Sequence, residues 1–156
     1  MIAFDVVVIG SGPAGEGAAM QCAKDGKRVA MVDLNPELGG ECLHRGTIPS
    51  KALRHSIQRF LESTTNPLVK VFQSSVAELN FPALVNAARS ISRREAEINR
   101  RNYDRNRVAI FVGYAKITSP NTITVALRDG GEEMLSAVAI IIATGSRPYR
   151  PQDIPF

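Results

Sequence analysis

A run of apolar, mostly β-branched residues, Val6-Val7-Val8-Ile9, passes directly into Gly10-Ser11-Gly12-Pro13-Ala14-Gly15, and the small residues Gly17, Ala18 and Ala19 follow. That order predicts a buried parallel strand, a tight turn and a helix start, the opening of a βαβ unit. Gly10 permits the turn, Gly12 lets backbone approach a pyrophosphate, and Gly15 lets helix and strand pack closely. Pro13 suits a first helical turn, where its missing N–H costs nothing. The amides of that turn have no partner within the helix, so with the helix dipole they make an anion site.

A glycine pattern alone is weak, because many glycine-rich turns bind nothing. Here the surroundings agree with it. The helix is predicted to run to about Asp25, with Gly26 as its stop. A second strand, Arg28-Val29-Ala30-Met31-Val32, ends in Asp33, eighteen residues beyond Gly15. A carboxylate there accepts hydrogen bonds from adenosine ribose hydroxyls and repels a 2′-phosphate. NAD or FAD is therefore favoured over NADP at this site, against the rival reading of an empty loop and a solvated Asp33.

At 156 residues with 44% hydrophobic content, the chain has the size and apolar content of one domain with a core. Its longest apolar run, Ala137 to Ala143, falls far short of the roughly 20 residues of a membrane span. Met1 to Asp5 has no basic segment and reads as strand rather than signal peptide. Two cysteines make no disulfide framework, which suits a reducing, cytoplasmic setting. A net charge of +4 does not by itself imply nucleic acid, and no metal site is expected.

From Leu34 to Thr47 the chain reads as loop, and Ile48-Pro49-Ser50-Lys51 starts a helix whose Ala52, Leu53, Ile57, Phe60 and Leu61 predict one buried face. Ser63 to Asn80 is polar, with a turn at Asn66-Pro67. Asn80 is the expected cap of a long helix with Pro82 in its first turn and an apolar stripe through Leu84, Ala88, Ile91 and Ile98. Its arginines, from Arg89 to Arg107, alternate with Glu95, Glu97 and Asp104, the mark of a solvated, ion-paired face more than of a nucleic-acid stripe. Val108–Val112 is the next predicted strand. Short strands near 116–118, 122–127 and 133–135 then form an antiparallel meander, with turns at Ser119-Pro120-Asn121 and Asp129-Gly130-Gly131. Ala139–Ala143 shows no alternation and predicts a central strand buried on both faces. It ends at Thr144-Gly145, where backbone can again approach a ligand. The exit through Arg147-Pro148-Tyr149 and Ile154-Pro155-Phe156 is extended. The expected fold is α/β: a Rossmann-like domain with a central parallel sheet, helices on one face and a small antiparallel β-meander on the other.

Gly39-Gly40-Glu41-Cys42-Leu43-His44-Arg45-Gly46-Thr47-Ile48-Pro49-Ser50-Lys51, with the glycine turn before it and Ala143-Thr144-Gly145 after it, resembles the FAD-binding domain of the pyridine nucleotide–disulfide oxidoreductases. Most of that family has a second cysteine five residues beyond the first; here Cys42 is followed at that place by Thr47. Together with Gly15 to Ala19, Lys51 to His55, Asn66-Pro67-Leu68 and Gly145 to Tyr149, this resembles the family's transhydrogenase branch. Glu41, Leu43 and Arg45 depart from that branch towards the disulfide reductases. A threonine cannot form the S–S bond a dithiol relay needs.

The resemblance implies residues 1–156 as the amino-terminal portion of an FAD-binding domain, with nicotinamide-binding and dimerisation domains not included. It implies hydride transfer between NADPH and NAD⁺ through FAD, NAD(H) and NADP(H) as substrates, and a homodimer or larger oligomer for the complete enzyme. The cofactor contacts it implies are Gly10, Gly12, Pro13, Ala14, Gly15, Asp33, Leu34, Gly39, Gly40, Cys42, Gly46, Thr47, Ser50, Lys51, Tyr114, Ala115, Ala143, Thr144 and Gly145. Lys51 is expected near flavin N5, tuning the reduced ring. Cys42 is read first as a packed loop residue and second as a redox thiol, Cys22 as core, and His44 and His55 as structural or surface groups. The alternatives are a dihydrolipoamide dehydrogenase or mercuric reductase relative without its dithiol, and a non-catalytic nucleotide-binding module. The chain alone is expected to bind FAD weakly if at all and to be inactive in hydride exchange, with one edge of its sheet exposed.

Overall fold

The computed structural model describes residues 1–67, 80–146 and 149–155, so most of the polar stretch after Pro67, the Arg147-Pro148 step and Phe156 lie outside the described residues. In chain order the elements are β1 (Ile2–Ile9), α1 (Pro13–Lys24), β2 (Val29–Asp33), α2 (Gly40–His44) and α3 (Thr47–Thr65). After them come α4 (Phe81–Arg105), β3 (Ala109–Ser119), β4 (Thr122–Leu127) and β5 (Glu132–Ile142).

β1 is the centre of a parallel layer in the order β3-β2-β1-β5. Its run of valines has no polar alternation because both faces are covered. Val6 and Val8 pack with Ala19 of α1, Val29 and Met31 of β2, and Tyr103 of α4. Val7 points the other way, with Ala30 and Val32, into the side chains of the meander: Ile123, Val125, Leu135 and Ala137. Each fully buried valine or methionine contributes about 1.5–3 kcal/mol relative to exposure. The parallel layer, with helices on one side and a meander on the other, is the architecture expected from the sequence.

The meander is built differently from the expectation. β3 and β5 are each one long strand rather than two short ones. Their far halves leave the parallel layer and pair antiparallel with β4, which closes the hydrogen bonding into a ring, β1-β2-β3-β4-β5. Gly113 makes the passage possible, since a Cβ there would overlap the Ala126 carbonyl.

The other differences concern partners. Ala139–Ala143 is not buried on both faces: over this stretch β5 pairs with β1 on one side, and Val138 and Ile142 are 77% and 65% exposed. α3 packs against α4 but contains no fully buried residue, and its Leu61 is 55% exposed. On α4 the buried positions are Ala88, Ser92 and Tyr103, while Ile91 of the expected stripe is 42% exposed. Ala88 and Ser92 are small, which suits close helix approach better than a branched side chain does, whereas Tyr103 packs with Val6 and Val8 of the sheet. The cap of α4 is as predicted: Asn80 Oδ1 accepts from the Ala83 amide at 3.2 Å, with Pro82 in the first turn.

Candidate functional site at the strand ends

In register, Ile9 lies opposite Val32 and Ile142, and Asp33 lies opposite Val112. The carboxyl ends of the parallel strands therefore share one edge. The segments that follow them are Gly10–Ser11, Leu34–Asn35, Gly113–Ala115 and Ala143–Gly145. From β1 the chain moves through β2 to β3, then returns to the other side of β1 as β5. The reversal puts a topological switch point between β1 and β5, the place where ligands bind open α/β sheets.

At that point the backbone is packed to its limit. Gly10 takes φ +103°, and a Cβ on it would overlap the Ala143 carbonyl. A Cβ on Gly15 would overlap the Gly10 carbonyl. The Ala143 amide donates to Ile9 O at 2.8 Å and the Gly10 amide to Val32 O at 2.8 Å. These two glycines are required by the fold itself. Gly12 differs: a Cβ there meets nothing within 4 Å, and φ −64° suits any residue. Its missing side chain leaves space in front of the first turn of α1, where the amides of Ala14 and Gly15 have no helical partner. Gly40 (φ +64°) completes the wall, because a Cβ on it would come within 2.8 Å of the Gly12 Cα.

Ser11, not among the residues the sequence singled out, joins three loops. It is fully buried; its amide and hydroxyl both donate to Asp33 Oδ2, at 2.7 and 2.6 Å, and its Oγ accepts from the Gly39 amide at 3.0 Å. Asp33 Oδ1 accepts from the Asn35 amide at 2.9 Å. The carboxylate expected to face a ribose thus first ties the glycine turn to the end of β2. A carboxylate has about four lone-pair positions; three donors leave one for an outside hydroxyl. A hydroxyl residue inside the glycine turn, with an acid closing the next strand, was the signal available in the sequence.

The remaining candidates spread outward. Pro13, Ala14 and Leu34 are exposed, and Tyr114 is 63% exposed on β3 while its neighbour Ala115 is half-buried. Cys42 is half-buried on α2, a short helix where a loop was expected, and both cysteines are free. Gly46 and Thr47 begin α3, and Lys51 is exposed in its first turn. Ser50 Oγ donates back to Gly46 O at 2.8 Å, so its hydroxyl is used within the helix. His44 holds the Leu38 carbonyl through Nε2 at 3.1 Å, and His55 is exposed, in keeping with structural and surface roles. Beneath the cradle, burial and then Glu16 and Asp33 push the Tyr103 phenol well above its ordinary value and keep it neutral. Among the described residues no group of His, Cys, Asp and Glu is arranged to hold a metal, and no helix is long and apolar enough to cross a membrane.

Residues 4–155 match the family described as pyridine nucleotide-disulphide oxidoreductase. The chain belongs to that family. It is 48% identical over 153 residues to a soluble pyridine nucleotide transhydrogenase of Pseudomonas putida, covering 98% of this chain and 33% of the relative. Proteins of the same name from Pseudomonas fluorescens and Pseudomonas syringae pv. tomato are 48% and 47% identical over the same share of each chain. The chain therefore spans about one third of the length of these relatives. Among solved structures, the HOCl-induced flavoprotein disulfide reductase RclA of Escherichia coli, as its Cu(II) complex, superposes with a TM-score of 0.79 at 24% identity. That match covers 97% of this chain and 31% of the other, and shows a shared fold.

Proposed function

We propose that this chain is the FAD-holding part of a transhydrogenase that moves hydride between NADPH and NAD⁺. The observation that carries the cofactor reading is Gly12, the cradle glycine whose absent side chain would meet nothing among the described residues. The name shared by relatives at 47–48% identity supports the reaction, as does Thr47 at the place of the second thiol. The cradle fits the cofactor: free first-turn amides for the pyrophosphate, a remaining lone pair on Asp33 for a ribose hydroxyl, and strand ends 113–115 and 143–145 on the same edge.

Bound FAD supplies the two-electron chemistry, accepting hydride from one nicotinamide nucleotide and giving it to another. The chain's part is to bind and orient. The first turn of α1 neutralises the pyrophosphate, and Ser11 holds Asp33 in place for the ribose. Lys51, near the start of α3, would by the family resemblance supply an ammonium that stabilises negative charge on a reduced ring. Thr47 denies Cys42 a disulfide partner, which directs electrons to a second nicotinamide rather than to sulfur. In this reading residues 1–156 form the amino-terminal portion of an FAD-binding domain in a cytoplasmic, oligomeric enzyme. They carry one dinucleotide cradle among the described residues, so alone they do not sustain hydride exchange.

The test is the absorption spectrum of chain purified with FAD supplied. The wild-type chain is expected to show at most a weak flavin band and Gly12→Val to lose it with an unchanged melting temperature, whereas Gly15→Val loses the fold as well. A Gly12→Val protein that keeps its flavin would overturn the placement. Sustained NADPH-to-NAD⁺ turnover by the 156-residue chain would overturn the division of labour.

A further inference from the structure

A cleft of about 360 Å³ opens between α3 and α4, and none of Gly10, Gly12, Gly15, Asp33 or Ala143 lines it. Its size falls in the range of small-molecule sites. Leu53 of α3 and Val85 and Ala88 of α4 form apolar walls, and Ser92, Arg89 and Arg93 of α4 supply the polar side. Glu37 and His44 also line it, with Nδ1 of the histidine 3.8 Å from the Glu37 carboxylate.

Two independent features of this cleft are unsatisfied. Serines on these helices satisfy their hydroxyls one turn back: Ser50 on Gly46 O, Ser56 on Ala52 O, Ser63 on Phe60 O and Ser90 on Ala87 O. Ser92 does not; it is 6% exposed and its buried Oγ has no partner among the described residues. A buried hydroxyl without a partner is costly, so such groups as a rule have one. Arg89 and Arg93 stand one helical turn apart, where like charges repel, and neither makes an ion pair among the described residues.

We propose that this cleft binds a phosphomonoester with a compact apolar body. Arg89 and Arg93 take the phosphate, for which paired guanidiniums are suited in shape and charge. Ser92, which lines the cleft, turns its Oγ into it and donates to the phosphate or to its ester oxygen, and the apolar body lies on Leu53, Val85 and Ala88. Ser50 lines this cleft and is also among the cofactor contacts the resemblance implies, but the glycine turn and Asp33 do not line it, and the site does not depend on the hydride reading.

The probe is phenyl phosphate, titrated into the 156-residue chain and followed by the methyl NMR signals of Leu53 and Val85, with benzoate and uncharged benzyl alcohol beside it. Saturable shifts of those methyls are expected, strongest for phenyl phosphate. The double variant Arg89→Gln, Arg93→Gln should weaken binding about tenfold or more, since hydrogen bonds to a charged group are the strong ones. Ser92→Ala should weaken it less, while raising the melting temperature of the unliganded protein by removing the unpaired hydroxyl. Gly12→Val should leave binding unchanged. The proposal fails if the double variant binds equally well, if benzyl alcohol binds as tightly as phenyl phosphate, if no saturation is reached, or if the shifts fall on the amides of Gly12 and Gly15 instead.

Discussion

The β1-α1-β2 unit and the α3-α4 pair come from the same chain and obey opposite packing rules. In the first, Val7, Val8, Ala19, Ala30, Met31 and Val32 are all fully buried, and glycine backbones touch at Gly10 and Gly15. In the second, a helix of 19 residues buries none of them completely. The unit at the cradle is closed by its own residues, so its geometry is fixed before any ligand arrives. The helix pair keeps half-covered apolar side chains and, among the described residues, arginines without an ion pair and a buried serine hydroxyl without a partner.

The sharpest way to break that contrast is to delete apolar bulk in each region. Met31→Ala should destabilise by about 2–5 kcal/mol, as expected for a fully buried site that cannot collapse, whereas Leu61→Ala on α3 should stay within about 0.5 kcal/mol. Denaturant midpoints of the two variants measure the difference, and equal losses would show that α3 is as tightly packed as the sheet.

Ser11→Ala probes the rigidity of the cradle without touching its apolar core. It removes a bond to Asp33 and leaves the buried Gly39 amide without its acceptor. A loss of about 1–3 kcal/mol is expected, together with weaker flavin retention, because Asp33 and the Gly39-Gly40 segment lose their common tie. Chemical denaturation and the flavin band read these separately.

The smallest effect lies where the two regions meet. Burial, and then the charge of Glu95, raise the Glu16 carboxyl above its ordinary value of 4.5, and Asn99 Nδ2 donates to its Oε2 at 3.3 Å. A raised value means that the folded chain holds this proton more tightly than the unfolded chain. The stability it contributes is therefore complete below pH 4.5 and is lost as pH rises through the Glu16 value. Glu16→Gln should flatten that part of the stability profile, measured as denaturant midpoint over roughly pH 4 to 7. An unchanged slope would place the proton elsewhere.

Much of the fold was legible because it rests on local rules. Val6 to Gly15 reads directly as strand, turn and helix, and Asn80-Phe81-Pro82 reads directly as a helix start. The family resemblance carried by residues 39–51 agrees with the match over residues 4–155. What was missed depends on distant neighbours. The division of β3 and β5 into four short strands failed because Gly113 and the residues between the runs continue the extended chain from the parallel layer into the antiparallel part of the same ring. The inward face of α4 was read correctly at Leu84, Ala88 and Ile98, which are buried or half-buried, but not at Ile91, which turns out while its neighbour Ser92 turns in.

The amino-acid sequence by itself determined where backbone can turn and where helices begin, since glycine, proline and cap patterns act over a few residues; it put the central strand at Ala139–Ala143, whereas pairing on both sides makes β1 the centre of the parallel layer. Only the tertiary structure decided that Asp33 first grips Ser11, 22 residues away, that β5 presents Val138 and Ile142 rather than burying them, and that Ser92 is left without a partner. Each of these depends on what occupies the space beside a side chain. Residues distant in the chain supply that neighbour, and no local pattern encodes it.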